Sequence, residues 1–243
     1  MEPGRMYLWR GRALVLGVDS DSTPHAHHAL QLSLALEGAF RLTLPDSSSR
    51  MATAALFLPG QPHRLAANGA LMAHLFIDPG QRSLADWRRD EIPAALPADL
   101  LVALRAAWHT PLALTACEPL VAQWQDAWLP GFDRAPILDS RIAQALALLA
   151  EEGELTAEYL ADTLQLSQSR CSHLFSQHTG LPFRRYVLWM RLLAAVAQLG
   201  RGGNLTTAAH AAGFADLAHM SRVFHATFGV VPSTLSRVAI VAA

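Results

Sequence analysis

Two hydrophobic rhythms divide this 243-residue chain. In the first third, short apolar and β-prone runs occur at Met6 to Trp9, Ala13 to Val18, Ala29 to Leu36, Ala39 to Leu44, Ala54 to Leu58 and Leu71 to Ile77. Turn clusters such as Asp19-Ser20-Asp21, Pro45-Asp46-Ser47 and Pro59-Gly60 separate them, a rhythm that predicts a small barrel or sandwich. Helical spacing then takes over. Helices are predicted at Ala98 to Trp108 and Glu118 to Trp128, the second with Leu120, Val121, Trp124 and Trp128 on one side. Trp124 and Trp128 are read as core, with a barrel cap or a dimer face as the other assignments. A Pro-Gly segment, Leu129 to Pro136, leads into the second half.

That half contains one pattern twice. Thr156 caps a short helix with Leu160, Ala161 and Leu164 inward; a turn follows at Gln165 and Leu166, and Ser167 starts a helix that Gly180 closes. Downstream, Asn204 caps a second short helix with Thr207 at its third position and Leu205, Ala208, Ala209 and Ala212 inward. Gly213 ends it, Phe214 drops into the core, and Asp216 sits in the first turn of the next helix, whose apolar stripe is Met220, Val223, Phe224 and Phe228. Gly229 and Pro232 stop that helix and begin a last one, Ser233 to Val238. Between the units Pro182 opens a long helix that runs to Gly200. The pattern is that of two helix-turn-helix units on a stiff rod, spaced to enter successive major-groove segments of DNA. A plain helical hairpin is the alternative for either unit taken alone.

Composition alters this picture in one respect. With 19 basic and 20 acidic residues the chain is nearly neutral, which would argue against a nucleic-acid partner. The distribution is polar, however: from residue 163 onward seven arginines face one acid, net +6, while residues 1–162 hold 12 arginines and 19 acids, net −7. The positive end coincides with the repeated units and suits a phosphate backbone, or else is a solvated face. Apolar residues make up 51% of the chain, enough for two cores. Two cysteines, Cys117 and Cys171, offer neither a disulfide framework nor a zinc-finger spacing. The N-terminus lacks a signal-peptide stretch and no apolar run approaches a membrane span, so a cytoplasmic protein with no membrane partner is expected.

Residues 139–238 resemble the C-terminal DNA-binding domain of AraC/XylS-family transcription regulators, on Ala161, Ser167, Phe175, Thr179-Gly180, Phe183, Tyr186, Arg191, Ala209, Gly213-Phe214, Arg222, Phe224, Phe228-Gly229 and Pro232. The resemblance implies double-stranded DNA as partner. Its contacts would fall on Ser169, Ser172 and His173 in the first unit and Leu217, Ala218, Ser221 and Arg222 in the second, with Arg184, Arg185 and His225 beside them. Gln165 stands where the family has a turn glycine, and His225 where it has a lysine. The resemblance also implies a homodimer, and a partnership with RNA polymerase if the protein activates.

In the β region, His25-Ala26-His27, Gln31 and Gly38, then Pro59-Gly60-Gln61-Pro62-His63, resemble a degenerate pair of cupin motifs. Gln31 occupies the place of the usual carboxylate. His25, His27, Gln31, Arg41, His63 and His74 are the candidates for an effector pocket at the mouth of such a barrel. His25, His27 and His63 could hold zinc, copper or nickel; hydrogen bonds at the pocket rim are the favoured role, and no cofactor is assigned.

The expected architecture is α+β multidomain: a cupin-like effector-binding and dimerisation barrel with two following helices at 1–130, a linker at 131–138, and a domain of two helix-turn-helix units joined by a long helix at 139–243. The favoured reading is a DNA-binding transcription regulator under small-molecule control, not an enzyme. A metal-dependent cupin enzyme with an added helical domain, or a constitutive DNA-binding dimer, are the readings it must displace.

Overall fold

A computed structural model describes residues 3–9, 11–17, 21–78, 95–132, 139–152 and 155–242; positions 133–138 of the expected linker and Val18 lie outside them. The chain runs β1 (Gly4–Trp9), β2 (Arg12–Leu16), β3 (Leu30–Glu37), β4 (Phe40–Thr43), β5 (Ser49–Ala52), β6 (Ala54–Phe57), β7 (Arg64–Ala66) and β8 (Leu71–Ile77). Helices α1 (Ala98–His109) and α2 (Leu114–Trp128) follow. The second half contains α3 (Ser140–Glu152), α4 (Ala157–Thr163), α5 (Gln168–Thr179), α6 (Phe183–Gly200), α7 (Leu205–Ala211), α8 (Leu217–Phe228), a 3₁₀ turn at Pro232–Arg237 and β9 (Val238–Ala242).

The strands form a six-stranded sheet, β6-β3-β8-β2-β1-β9, and a three-stranded one, β5-β4-β7. Alternation sets the layers. In β3 the leucines Leu30, Leu32 and Leu34 share a face with Tyr7, Leu14, Leu16, Leu75 and Ile77, and that face packs on α1 and α2. Trp124 and Trp128 belong to this core, their rings edge to face at 5.5 Å. The hydroxyl of Tyr7 accepts the Leu112 N–H at 3.1 Å, and the Arg105 guanidinium donates to the Leu36 carbonyl, so both helices are pinned to the sheet. A second core, with Phe40, Phe57, Leu65 and Met72, fills the space between the two sheets, giving the cupin-like barrel.

The opposite face of the large sheet, with Leu8, Ala13 and Phe76, packs on α6, α7 and α8. One core therefore contains residues from both ends of the chain. β9 strengthens the join by pairing in parallel with β1, from Gly4 opposite Val238 to Leu8 opposite Ala242. Where the sequence predicts a helix from Ser233 to Val238, the structure has a 3₁₀ turn and then a strand, because Val-Ala-Ile-Val suits an open sheet edge better than a helix. The first helix-turn-helix unit has its own core around Ile142, Leu160, Phe175 and Tyr186.

Other departures are local. β5 and β7 are short and carry too little apolar pattern to predict a strand. α2 begins at Leu114, ahead of Pro119, because Cys117 is buried beneath its first turns. α3 is an element additional to those predicted, with Ile142, Ala145 and Leu149 spaced for one buried helical stripe. Among the described residues no helix is long and apolar enough to cross a membrane.

Candidate functional site

Both turn-helix pairs are built as their caps dictate. In the second, Thr207 N donates to Asn204 Oδ1 at 2.9 Å and Asn204 N to Thr207 Oγ1 at 3.0 Å, a complete capping box. Asp216 Oδ1 then accepts the His219 N–H and starts α8, which ends at Gly229 in the left-handed conformation, φ +70°. In the first, Thr156 and Ser167 cap α4 and α5. The turn between them passes through Gln165 at φ +54°, where the second unit has Gly213 at φ +77°. The left-handed turn is therefore retained without its glycine.

The outward faces match these caps. Ser169, Ser172 and His173 on α5 are exposed, as are Ala218 and Arg222 on α8; Leu217 and Ser221 are half-buried. Arg184 and Arg185 are exposed at the start of α6, and Arg170 lies near the start of α5. Cys171, Leu174 and Phe175 hold α5 from behind, and Met220 and Phe224 hold α8. Thr179 is buried and donates to the Phe175 carbonyl at 2.8 Å, which fixes the last turn of α5 before Gly180. His225 has a different setting: its Nε2 lies 3.3 Å from Thr23 Oγ1, in the N-terminal half.

The expected effector residues separate. His25, His27 and His63 come together, with ring centroids 4.3 to 5.7 Å apart. Each places Nδ1 against a backbone carbonyl two residues away, Thr23, Ala29 and Gln61 in turn, at 2.8 to 2.9 Å. With Nδ1–H donating, His25 and His63 keep their Nε2 lone pairs, whereas a neutral His27 has a single N–H facing two acceptors, the Ala29 carbonyl and Gln31 Oε1; one nitrogen from each ring lies within 4.8 Å of the others. His63 Nε2 is buried without a partner among the described residues, so His63 and His25 offer an ion two neutral nitrogen donors, while His27 Nε2 is taken up by Gln31. His27 Nε2 also lies 2.6 Å from Gln31 Oε1, and the Gln31 amide continues through Ser33 Oγ at 2.8 Å to His74 Nδ1 at 2.9 Å. Burial, with the neighbouring imidazoles, lowers His63 to about 2 and His74 to about 4. Burial lowers His27 to about 4 against the opposing Gln31 contact, and it lowers His25 as well. Arg41 lies elsewhere, exposed on β4 and 3.5 Å from Ser49 Oγ.

A cavity of about 130 Å³ opens beside this network, between the barrel and the second helix-turn-helix unit. His25, Gln31 and His74 line it; His27 and His63 stand behind. Its far wall is Trp189 and Leu193 of α6 with Phe224 and Phe228 of α8. None of these four was expected there, because an apolar stripe that packs on a sheet and one that walls a cavity leave the same trace in sequence. Arg12 and Asp78 on the barrel side were also missed.

The comparisons agree with this architecture. Residues 160–237 match the family model of a helix-turn-helix domain. A curated relative, the HTH-type transcriptional activator RhaS of Pectobacterium carotovorum, is 38% identical over 77 residues, 31% of this chain; the match spans 28% of that relative's length. The crystal structure of ToxT from Vibrio cholerae superposes with a TM-score of 0.57 over 93% of this chain and 96% of that one, at 11% identity. Wild-type ToxT from Vibrio cholerae with an unsaturated fatty acid bound gives 0.55 over 88% of each chain, at 14% identity. At such identities the likeness is one of fold, and it extends across both halves.

Proposed function

We propose that this chain, whose residues 160–237 form an AraC/XylS-family helix-turn-helix domain, is a sequence-specific DNA-binding regulator of transcription under the control of a small molecule held between its two halves. The observation that carries the reading is the shared position of Phe224 and Phe228. They line the cavity from α8, the helix whose opposite side presents Arg222 and Ala218 to solvent. A ligand that fills the cavity touches the back of a reader helix, so its binding energy can differ between arrangements of that helix that fit DNA and those that do not. The fatty acid in ToxT is a precedent, on a similar fold, for a small molecule bound by such a protein.

Seven arginines against one acid beyond residue 162 supply the phosphate attraction, and the two helices supply base contacts. The exposed groups of α5 are two serines and a histidine, so the second unit, with Arg222, discriminates bases more strongly. The test is titration of purified protein against promoter fragments from its own genome, over a salt series and with added metabolite extracts. Retention that falls steeply with salt and changes with an extract is expected. A protein that binds no fragment under any of these conditions overturns the reading.

A further inference from the structure

We propose that the ligand of the cavity is an uncharged, single-ring molecule carrying one hydrogen-bond acceptor, and that the acceptor is taken by the indole N–H of Trp189. The inference rests on the reading of that cavity as the effector site, and four observations support it.

The first is size. At about 130 Å³ the space is near that of an engineered apolar cavity of about 150 Å³ that binds benzene. One ring fills it. The second is the wall, where Phe76, Phe224, Phe228 and Leu193 offer faces and edges suited to an aromatic guest. The third is charge. Arg12 and Asp78 both line the cavity and their formal charges cancel, Asp78 lies 3.4 Å from His28 Nε2, and the chain contains no lysine. Nothing in this set offers a carboxylate the net positive charge needed to leave water.

The fourth observation is an unmet donor. Trp189 is buried, lines the cavity, and has no hydrogen-bond partner for Nε1 among the described residues. A buried N–H without an acceptor carries a desolvation cost that a ligand carbonyl or ether oxygen removes. The bond would fall on α6, the helix that joins the two DNA-reading units, and on a ring already packed between His28 at 6.0 Å and Phe228 at 5.9 Å.

The test is calorimetric titration of the full chain at neutral pH with four probes: acetophenone, ethylbenzene, benzoate and octanoate. Acetophenone is expected to bind, ethylbenzene to bind about fivefold more weakly for want of the acceptor, and the two anions to bind more than about tenfold more weakly. Trp189→Phe should abolish the preference for acetophenone over ethylbenzene, read as the ratio of the two affinities within the variant. A benzoate or octanoate that binds more tightly than acetophenone, or a wild type that does not distinguish acetophenone from ethylbenzene or binds neither, overturns the proposal. The wild-type series decides even if the variant does not fold. Failure here with salt-sensitive DNA binding intact removes the ligand class alone. Acetophenone that binds but leaves DNA affinity unchanged removes effector control instead.

Discussion

The carbonyl of Gly229 accepts the backbone N–H of Thr23 at 2.8 Å and the Thr23 hydroxyl at 3.1 Å, so the residue that ends α8 is also where the N-terminal half docks. The approach is close on all sides. A Cβ added at Gly229 would lie 2.5 Å from His25 Nδ1 and 2.6 Å from the Thr23 carbonyl. The Phe-Gly pair that closes this helix therefore serves two geometries, a left-handed cap and an interdomain contact. Together with the β1–β9 pairing it makes the second unit part of the barrel's own packing, while the first unit keeps a separate core.

Gly229→Ala should accordingly cost more than a cap substitution alone. The left-handed backbone accounts for about 1–2 kcal/mol, and the overlap with His25 and Thr23 adds to it. A loss of at least about 2 kcal/mol in denaturant unfolding is expected, with faster proteolysis between the halves. A near-neutral variant would mean that the docking contact is not made in solution.

Much of the second half was legible before the structure because its determinants are local. Asn204 with Thr207, Ser167 and Thr156 are caps whose partners lie within three residues, and the structure forms each of those bonds; Asp216, expected inside the first turn of its helix, is instead the cap that precedes it. The join between the halves was not legible. Val238–Ala242 carries a strand pattern with no near neighbour, and its partner β1 lies more than two hundred residues earlier, a pairing that nothing in the local sequence specifies. The candidate site shows the same divide. His25, His27 and His63 were visible as a spaced motif, but Trp189, Phe224 and Phe228 become cavity walls only when two distant elements meet.

Gln165→Gly tests the turn of the first unit. At φ +54° a side chain strains the backbone, and glycine relieves it. Stabilisation of about 1 kcal/mol is expected, less the added entropy of glycine in the unfolded chain. A clear loss of thermal stability would show that the Gln165 side chain contributes more than its backbone costs.

Arg222→Ala and Arg184→Ala should differ in kind. Arg222 is exposed on the outer side of α8, where a reader helix meets base edges, and its loss should cost about 1–3 kcal/mol on the cognate site with relaxed sequence preference. Arg184 lies at the start of α6, beside the reading face, and its loss should weaken all sequences alike and lower the salt slope by about 1. Equal effects on cognate and random DNA for both variants would remove Arg222 from base recognition.

The buried imidazoles make stability depend on pH in a direction that can be worked out. Burial lowers His27 and His74 to about 4 and, with help from His27 and His25, lowers His63 to about 2, against an ordinary value of 6.5. The folded state therefore refuses protons that the unfolded chain accepts as pH falls through 6.5, so stability is fully present above that value and drains away below it. Between pH 7.5 and 5.5 each of the three should cost about 1.4 kcal/mol, about 4 kcal/mol together. Urea unfolding across that window measures the loss, and His63→Asn should reduce its slope by about one third. A flat profile would mean that these rings are solvated or already protonated in the native state, not held neutral in a buried polar network behind the cavity.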